Sequence, residues 1–372
     1  MTTIRTASDV LATPGKALSI GLWTLQVLVA LAFVAAGSGK LLGSADHGAN
    51  RTSCPFRLDS PDCVGTAFAV GGSPRLVNVR DLRREFTVTE AHARTSSTPV
   101  QARTRRIVRR TRGSRHGPIT RLMSPSDLGQ VLKPFVFLDL FDMENATFQG
   151  MGLHPHSGIA TVSYLFEGSV RYEDSTGATG VLPAGGVEWF KAAHGAWHGG
   201  GLDDTGRARG FQLWLALPPD HELGPVENVY LAPDAVARDG PARVLVGTHG
   251  GATSSINAPA SLNYLAVRLR AGESWRYQPA FDHTVGWVSL STGRLRVPET
   301  VEAGELAIFE PSTEAIEFHA DADSEFVLGS AAPHAHDLVL GQYSVHTSPA
   351  TLRAGEDRLK EIERRLQNEG RL

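Results

Sequence analysis

Short apolar runs separated by glycine and proline dominate the chain from about residue 105 to residue 350. Examples are VSYLFEG and SVRYEDS in the first half of this region and LNYLAVRLRAG and LAIFEP in the second. Runs of this length with partial alternation of apolar and polar residues are typical of β-strands, and the glycine and proline between them favour turns. The pattern predicts an all-β region that is large enough for two medium-sized domains.

The last segment has a different period. In EDRLKEIERRLQNEG, Leu359, Ile362 and Leu366 follow one another at spacings of three and four, with opposite charges at helical neighbours. This spacing predicts an amphipathic helix over residues 353–372 that packs against a barrel.

Residues 17–39 form 23 consecutive positions without a charge. A helix of this length, at ~1.5 Å per residue, covers the ~30 Å hydrocarbon core of a bilayer, so we predict one transmembrane segment within residues 1–43. A signal peptide and a buried helix are the alternatives. The flanking lysines and arginines nearly balance, so the side of the membrane is not readable. Residues 44–102 have the serine, threonine and proline texture of a linker, and a gene fusion or misassigned start without a selected function is the other interpretation of residues 1–102.

Composition narrows the class of protein. The chain is 41% hydrophobic and 20% charged, with a formal net charge of −3, so we expect no direct nucleic-acid binding. Cys54 and Cys63 are the two cysteines. With two cysteines we expect no disulfide framework, although Cys54 and Cys63 could form one disulfide bond if this segment is exported.

Seven arginines fall between Arg103 and Arg115. We predict that RRIVRRTRG is a solvated edge strand that opens the first barrel, where its charges discourage pairing with another sheet. The alternative is a polybasic patch that is attracted to anionic lipid or nucleic acid.

The candidate chemistry lies between Gly152 and Gly201. Residues two apart on a strand project to the same face, so His154 and His156 point together. His198 follows about forty residues later in GAWHGGG, and three imidazoles can hold a divalent metal. This is the general arrangement of cupin barrels. Glu188 and His194 are weaker candidates for a catalytic base or a further ligand. The alternative for Glu188 is an exposed strand glutamate, and the alternative for His194 is a residue at the pocket rim or surface.

The run HPHSGIATVSYLFEGSVRYEDSTGATGVLPAGGVEWF, followed by HGAWHGG and GFQLWLALP, resembles the pirin family over about residues 103–352. The resemblance implies a bicupin: two β-barrels, a metal (usually iron) in the first, and a degenerate second barrel. It places the ligands at His154, His156 and His198. Family members have been linked to quercetin-type dioxygenase activity and to metal-dependent transcriptional co-regulation. Residues 17–43 more loosely resemble the first transmembrane helix of DoxX-type membrane proteins.

The chain departs from the pirin pattern at its carboxylates. Gly200 occupies the position at which the family usually has a glutamate ligand, and the residues from Ser157 to Ala160 contain no carboxylate either. A neutral three-imidazole site is compatible with zinc, copper or nickel as well as with iron(II), which the resemblance favours. In the second half His283 and His319 have no partner at cupin spacing, and we assign the pair His334 and His336 to a loop or rim.

These observations predict five segments: a membrane span (1–43), a linker (44–102), a metal-binding barrel (103–220), a degenerate barrel (221–352) and a helix (353–372). The expected function is that of a pirin-like metal-binding bicupin with a regulatory or binding role. Two alternatives are a quercetin 2,3-dioxygenase-like enzyme and a metal-free bicupin that binds a partner. Both a small aromatic or flavonol-like ligand and a protein partner are compatible with these functions. We expect the chain to be anchored to a membrane by one amino-terminal helix whose side is unknown. The pirin-like region itself is expected to be soluble and, by the resemblance, cytoplasmic.

Overall fold

A computed structural model describes residues 105–144, 150–203 and 206–372. The predicted membrane span and linker lie outside these residues. No helix in the described part of the chain is long and apolar enough to cross a membrane.

The described residues form an all-β protein that ends in one α-helix. The strands of the first half are β1 Ile107–Thr111, β2 Ser114–His116, β3 Ile119–Met123, β4 Phe135–Glu144, β5 Met151–His156, β6 Ile159–Asp174, β7 Thr179–Pro183, β8 Val187–Lys191, β9 Ala196–Leu202, β10 Arg207–Ala216 and β11 Glu227–Leu231. Those of the second half are β12 Arg238–Asp239, β13 Ala242–Val246, β14 Thr248–His249, β15 Ala252–Thr253, β16 Leu262–Leu269, β17 Ser274–Tyr277, β18 Val285–Thr292, β19 Arg294–Val297, β20 Glu299–Glu302, β21 Leu306–Phe309, β22 Ile316–Ala320, β23 Ser324–Ala331, β24 Val339–Leu340 and β25 Val345–His346. A 3-10 helix covers Leu128–Gln130, and helix α1 covers Pro349–Asn368.

Each half folds as a barrel of two facing sheets. In the first half the large sheet has the order β11-β8-β6-β10-β4-β3-β2, and the long strand β6 also pairs with β7 and β9 of the facing sheet. In the second half the large sheet has the order β1-β21-β18-β23-β16-β13-β12, and the facing sheet has the order β17-β22-β19-β20. The predicted all-β architecture is confirmed for the described residues.

The two large sheets pack against each other through their outer faces. On β16, Tyr264 and Ala266 join this shared core, whereas Leu265 and Val267 fill the interior of the second barrel. The alternation follows from the two-residue period of a strand. Apolar side chains fill the interior of the second barrel.

The arginine-rich strand does not lie where it was expected. β1 is an edge strand as predicted, but it pairs with β21 and so belongs to the second barrel, not the first. Arg105 at its start is buried, where its guanidinium donates to the backbone oxygens of Glu310 and Thr284. Further along, the arginines pair with glutamates of the second half: Arg106 with Glu310 (2.9 Å), Arg110 with Glu299 (2.6 Å) and Arg112 with Glu305 (3.4 Å). These ion pairs explain why β1 lies in the second barrel. They also neutralise part of the positive charge that a polybasic patch would need.

The carboxy-terminal segment returns to the first barrel. Ser348 caps α1 by accepting a hydrogen bond from the backbone N–H of Thr351, and Pro349 occupies the first turn. Leu359, Ile362 and Leu366 are buried against Trp197 of β9, as their spacing predicts. The helix begins four residues before the predicted start because the Ser-Pro signal precedes the periodic positions.

Candidate metal centre

Two neighbouring antiparallel strands bring the three predicted histidines together. In the register of β5 and β9, His154 lies opposite His198, and His156 lies opposite Ala196. The ring centroids are 4.9 Å apart for His154 and His156, 4.7 Å for His154 and His198, and 5.0 Å for His156 and His198. One nitrogen of each ring lies within 4.8 Å of the others, which is close enough for a single ion to be shared.

Each imidazole is oriented through its Nδ1 atom. Nδ1 of His154 lies 3.0 Å from the carbonyl oxygen of Gly152, and that of His156 lies 3.0 Å from the carbonyl oxygen of Tyr343. Nδ1 of His198 faces Oε1 of Glu188 at 3.5 Å. Acceptors at Nδ1 place the proton there and leave Nε2 with a free lone pair, which is the usual arrangement of metal-binding histidines.

The opposite nitrogens have no partner in the protein. Nε2 of His156 and Nε2 of His198 are both buried and make no hydrogen bond. A buried polar atom without a partner is destabilising, so such atoms call for an explanation. A divalent metal would satisfy both, and the residues present therefore fit the ion that the fold class implies.

Burial keeps two of these histidines neutral. It lowers the pKa of His154 to about 4, with a further contribution from the nearby His198. It also lowers the pKa of His156 well below its usual value, with His198 and His154 adding to the effect. Both rings are therefore unprotonated at neutral pH, as metal coordination requires.

Glu188 is a buried carboxylate that supports this site. It projects from β8 on the same side as Phe190, whose ring stacks on His198 at 4.5 Å, while Trp189 between them faces the second barrel. Burial would raise the pKa of Glu188, but hydrogen bonds with His198 and Ser163 outweigh burial and lower it. The alternative prediction that Glu188 is an exposed strand residue is wrong, because its carboxylate is buried and faces Nδ1 of His198.

The position of the missing glutamate is sterically closed. Gly200 lies opposite Met151 of β5 and Tyr172 of β6, and a Cβ atom there would overlap the carbonyl oxygen of Arg171. A side chain at residue 200 would therefore displace β6 or β9. Among the described residues the candidate metal-ligand group consists of the three histidines alone.

The other histidines considered from the sequence lie elsewhere. His194 is half-buried in the turn before β9, where its backbone N–H donates to Gly224, and it does not line the cavity. His283 is buried in the second barrel between the hydroxyls of Ser330 (3.0 Å) and Ser261 (3.1 Å). The pair at residues 334 and 336 lies in the loop between β23 and β24, as predicted.

The histidines line a cavity of about 480 Å³ in the first barrel. Its walls are partly aromatic: Phe137 and Trp214 stack at 4.0 Å, and the guanidinium of Arg121 lies 3.9 Å over the Phe137 ring. Arg121 also pairs with Asp139. Burial raises the pKa of Asp139, and the nearby guanidinium only partly offsets this increase. Tyr343, from the segment before α1, closes one side.

Sequence reasoning missed these cavity residues. Arg121 and Asp139 come from β3 and β4, and Tyr343 comes from the far end of the chain, so no local spacing connects them with the histidines. For Asp139, a charged residue inside the apolar run FVFLDLF is a usable signal.

The fold and the site define a bicupin with a three-histidine cluster in its first barrel. The family model for pirin matches residues 117–215. A pirin-like protein of Caulobacter vibrioides is 29% identical over 250 residues, which cover 64% of this chain and 90% of the relative. A Pseudomonas aeruginosa protein that is provisionally named a quercetin 2,3-dioxygenase is 30% identical over 232 residues, covering 58% of this chain and 81% of the relative. The chain belongs to the pirin family.

A solved structure supports the same fold. The crystal structure of quercetin 2,3-dioxygenase from Acinetobacter baumannii superposes with a TM-score of 0.64 and covers 68% of this chain and 96% of that chain. The two sequences are 22% identical, so the likeness concerns the architecture.

Proposed function

We propose that this pirin-family protein holds one divalent metal through Nε2 of His154, His156 and His198, and binds a hydroxylated aromatic ligand beside it. The observation that carries the proposal is the pair of buried, unpartnered Nε2 atoms on His156 and His198. Orientation by Gly152, Tyr343 and Glu188 through Nδ1 supports it, because ligand histidines need such partners. The expected role is metal-dependent binding, with regulation through a protein partner as its wider form.

Iron(II) is the metal that the family resemblance favours. Zinc, copper and nickel also suit three neutral imidazoles, so the protein has to be tested with each. A bound metal would supply Lewis acidity toward an oxygen of the ligand. The residues of the chain keep the imidazoles of His154 and His156 neutral and present Phe137 and Trp214 as flat walls.

A quercetin 2,3-dioxygenase-like activity is the second candidate. Two observations favour it: the cavity has room and aromatic walls for a flavonol-like molecule, and the Pseudomonas aeruginosa relative carries the corresponding name. The absent carboxylate at residue 200 weighs against it, because that group would be the simplest base for a flavonol hydroxyl.

Metal content tests the first proposal directly. The full-length chain, purified without a polyhistidine tag, is expected to retain about one equivalent of metal by elemental analysis. His154→Ala and His156→Ala should each lose it, whereas His334→Ala, a change in a loop histidine, should not. Wild-type metal content in both cluster variants would refute the assignment, with thermal unfolding curves showing that each variant is folded.

Oxygen consumption with quercetin then separates the two candidates. Uptake that requires the metal and the histidines supports the enzyme, whereas saturable binding of quercetin without uptake supports a binding role.

The membrane segment within residues 1–43 stays a prediction. Extraction of cell membranes with alkaline carbonate tests it, because a spanning helix keeps the chain in the pellet and a soluble chain is released.

A further inference from the structure

A row of polar side chains crosses the inner face of the large sheet in the first barrel. Four otherwise apolar strand segments each contribute one member: Asp139 in FVFLDLF, Gln212 in FQLWLA, Ser163 in VSYLF and Glu188 in VEWF. In the strand registers Gln212 lies opposite both Asp139 and Ser163, and Ser163 in turn lies opposite Glu188. Arg121 of β3 lies opposite Asp139 and ends the row. All five residues line the cavity.

Apolar side chains border this polar row on both sides. Two residues away on β4 and β10 lie Phe137 and Trp214, whose rings stack at 4.0 Å. On the other side Phe141 and Leu165 line the same cavity. Because alternate residues of a strand share a face, these positions form parallel apolar, polar and apolar rows. A flat ligand can therefore contact the apolar rows with its ring faces and the polar row with its edge.

Four members of the polar row have partners within it. Arg121 pairs with Asp139, and Ser163 forms a hydrogen bond with Glu188. Gln212 lies between these two pairs. Its side-chain amide makes no hydrogen bond within the described part of the chain, and its amide atoms, unlike Nε2 of His156, are not sealed off from the cavity. Because an amide has two N–H donors and one carbonyl acceptor, Gln212 has both kinds of group available to a ligand.

Gln212 lies apart from the histidine cluster. Glu188, which faces His198, is two strands away in the sheet, or about 10 Å at the usual spacing of neighbouring strands. The ring of Trp214 lies 4.7 Å from that of His156, and Trp214 is two residues, or about 7 Å, from Gln212 along β10. A ligand oxygen at Gln212 is therefore a different atom from an oxygen that lies among the histidines.

We propose that Gln212 is a specificity-determining residue that recognises a hydroxyl group on an outer ring of a ligand with two or more aromatic rings. This inference rests on the proposed function, because the other end of the ligand lies beside the metal. The amide carbonyl of Gln212 accepts from the hydroxyl, and its N–H donates to the oxygen of that hydroxyl or of a neighbouring one. A ligand without the hydroxyl leaves the amide unpaired, which lowers the affinity by about tenfold.

Two flavonols and one variant test this assignment. The oxygens of 3-hydroxyflavone outside its central ring system are the 3-hydroxyl and the 4-keto group, whereas quercetin adds hydroxyls on both outer rings. Calorimetry on the metal-loaded full-length chain, under nitrogen to prevent oxygen consumption, measures the dissociation constant of each. The wild type should bind quercetin at least about tenfold more tightly than 3-hydroxyflavone. Gln212→Met keeps the length of the side chain and removes the amide, so it should abolish this preference by weakening the binding of quercetin alone.

A matched control separates recognition from a general effect of the substitution. Gln367 is exposed on α1 and does not line the cavity, so Gln367→Met should keep the wild-type preference. Gln212→Leu repeats the test with a second apolar side chain. Thermal unfolding curves show that each variant is folded, and elemental analysis gives its metal content.

Several results would overturn the inference and leave the metal site standing. Equal affinities of the metal-loaded wild type for the two flavonols refute it, and so does a preference for quercetin that survives in Gln212→Met. An equal loss of both flavonols in Gln212→Met assigns the residue to maintenance of the cavity and not to selection.

Two other results concern the proposed function as well. A wild type that holds metal but binds neither flavonol contradicts both the inference and the aromatic ligand of the proposed function. A wild type without metal contradicts the proposed function. The same titration of that protein still tests the inference, since Gln212 is not a proposed metal ligand, and equal or absent binding of the two flavonols again refutes it.

Discussion

Replacing Glu188 with glutamine removes one buried charge from the candidate metal site and keeps the shape of the side chain. The carboxylate faces Nδ1 of His198 at 3.5 Å, and an amide oxygen in the same place can still accept from that nitrogen. The substitution therefore tests whether the negative charge strengthens His198 as a ligand.

The expected magnitude is about a tenfold loss of metal affinity, or ~1.4 kcal/mol. Changes to such supporting partners typically weaken metal binding by about 10- to 100-fold. We place Glu188→Gln at the lower end for two reasons. The contact of 3.5 Å is longer than a normal N–H···O hydrogen bond of about 2.9 Å, and the amide keeps part of the interaction.

The metal-free protein should respond differently. Without the ion, burial of the Glu188 charge is unfavourable, but contacts with His198 and Ser163 outweigh this cost and lower the pKa of the carboxyl group. The ionised carboxylate therefore stabilises the metal-free fold at neutral pH, and we expect metal-free Glu188→Gln to be somewhat less stable than the metal-free wild type in urea unfolding. Because the substitution affects both quantities, metal affinity has to be measured separately from stability.

Competition with a coloured chelator at pH 7.5 measures the affinity of the wild type and the variant. Asp139→Asn is the matched control, because Asp139 is a buried carboxylate of the same cavity that pairs with Arg121 rather than with a histidine. We expect the control to change the affinity by less than about threefold. The reasoning is refuted if the Glu188 variant binds metal as tightly as the wild type, or if the control loses as much affinity.

Three further outcomes are expected. Gly355→Ala should lower the midpoint of thermal unfolding although alanine favours helices, because the added Cβ atom would lie too close to Ser157 and His346. The control is Arg353→Ala at an exposed position, which should change stability by less than about 0.5 kcal/mol. A more stable Gly355→Ala would contradict this account of the packing. In the metal-free chain the pKa of His154 is lowered to about 4, so between about pH 6.5 and 4 the unfolded state binds a proton that the folded state does not. The free energy of unfolding should therefore fall with pH across this window by up to ~1.4 kcal/mol per pH unit. Urea unfolding of His154→Gln should show a weaker dependence of stability on pH, and an equal dependence would exclude His154 as a cause. Adding the bound metal at about 100 times its dissociation constant should stabilise the wild type by ~2.7 kcal/mol in thermal scans and leave His154→Gln nearly unchanged; no shift in the wild type would contradict specific binding.

The histidine cluster was predictable because its information is local. His154 and His156 are two apart on one strand, so their common face follows from the period of a strand alone. His198 required the pairing of β5 with β9, which the resemblance to the pirin family supplied and the register confirms. The helical spacing of α1 was local in the same sense.

The surroundings of the cluster were not predictable, since they depend on long-range pairing. The parity of Glu188 on β8 left two faces open, and only the packing of Trp189 against the second barrel decides which face is inward. The arginines near residue 105 were read as a solvated strand of the first barrel. Their true position depends on glutamates about two hundred residues away, and nothing in the local pattern specifies those partners.

The two ends of the described region are exchanged between the barrels, and this exchange has a consequence for the metal site. β1 completes the large sheet of the second barrel, whereas residues 343–346 and α1 pack on the first. The carbonyl of Tyr343 orients His156, Ser344 lines the same cavity, and His346 lies hydrogen-bonded to Ser157. A barrel cut out at residue 220 would therefore contain all three histidines but lack the acceptor for one of them, so the site depends on folding of the whole pirin-like region and not of its first barrel alone.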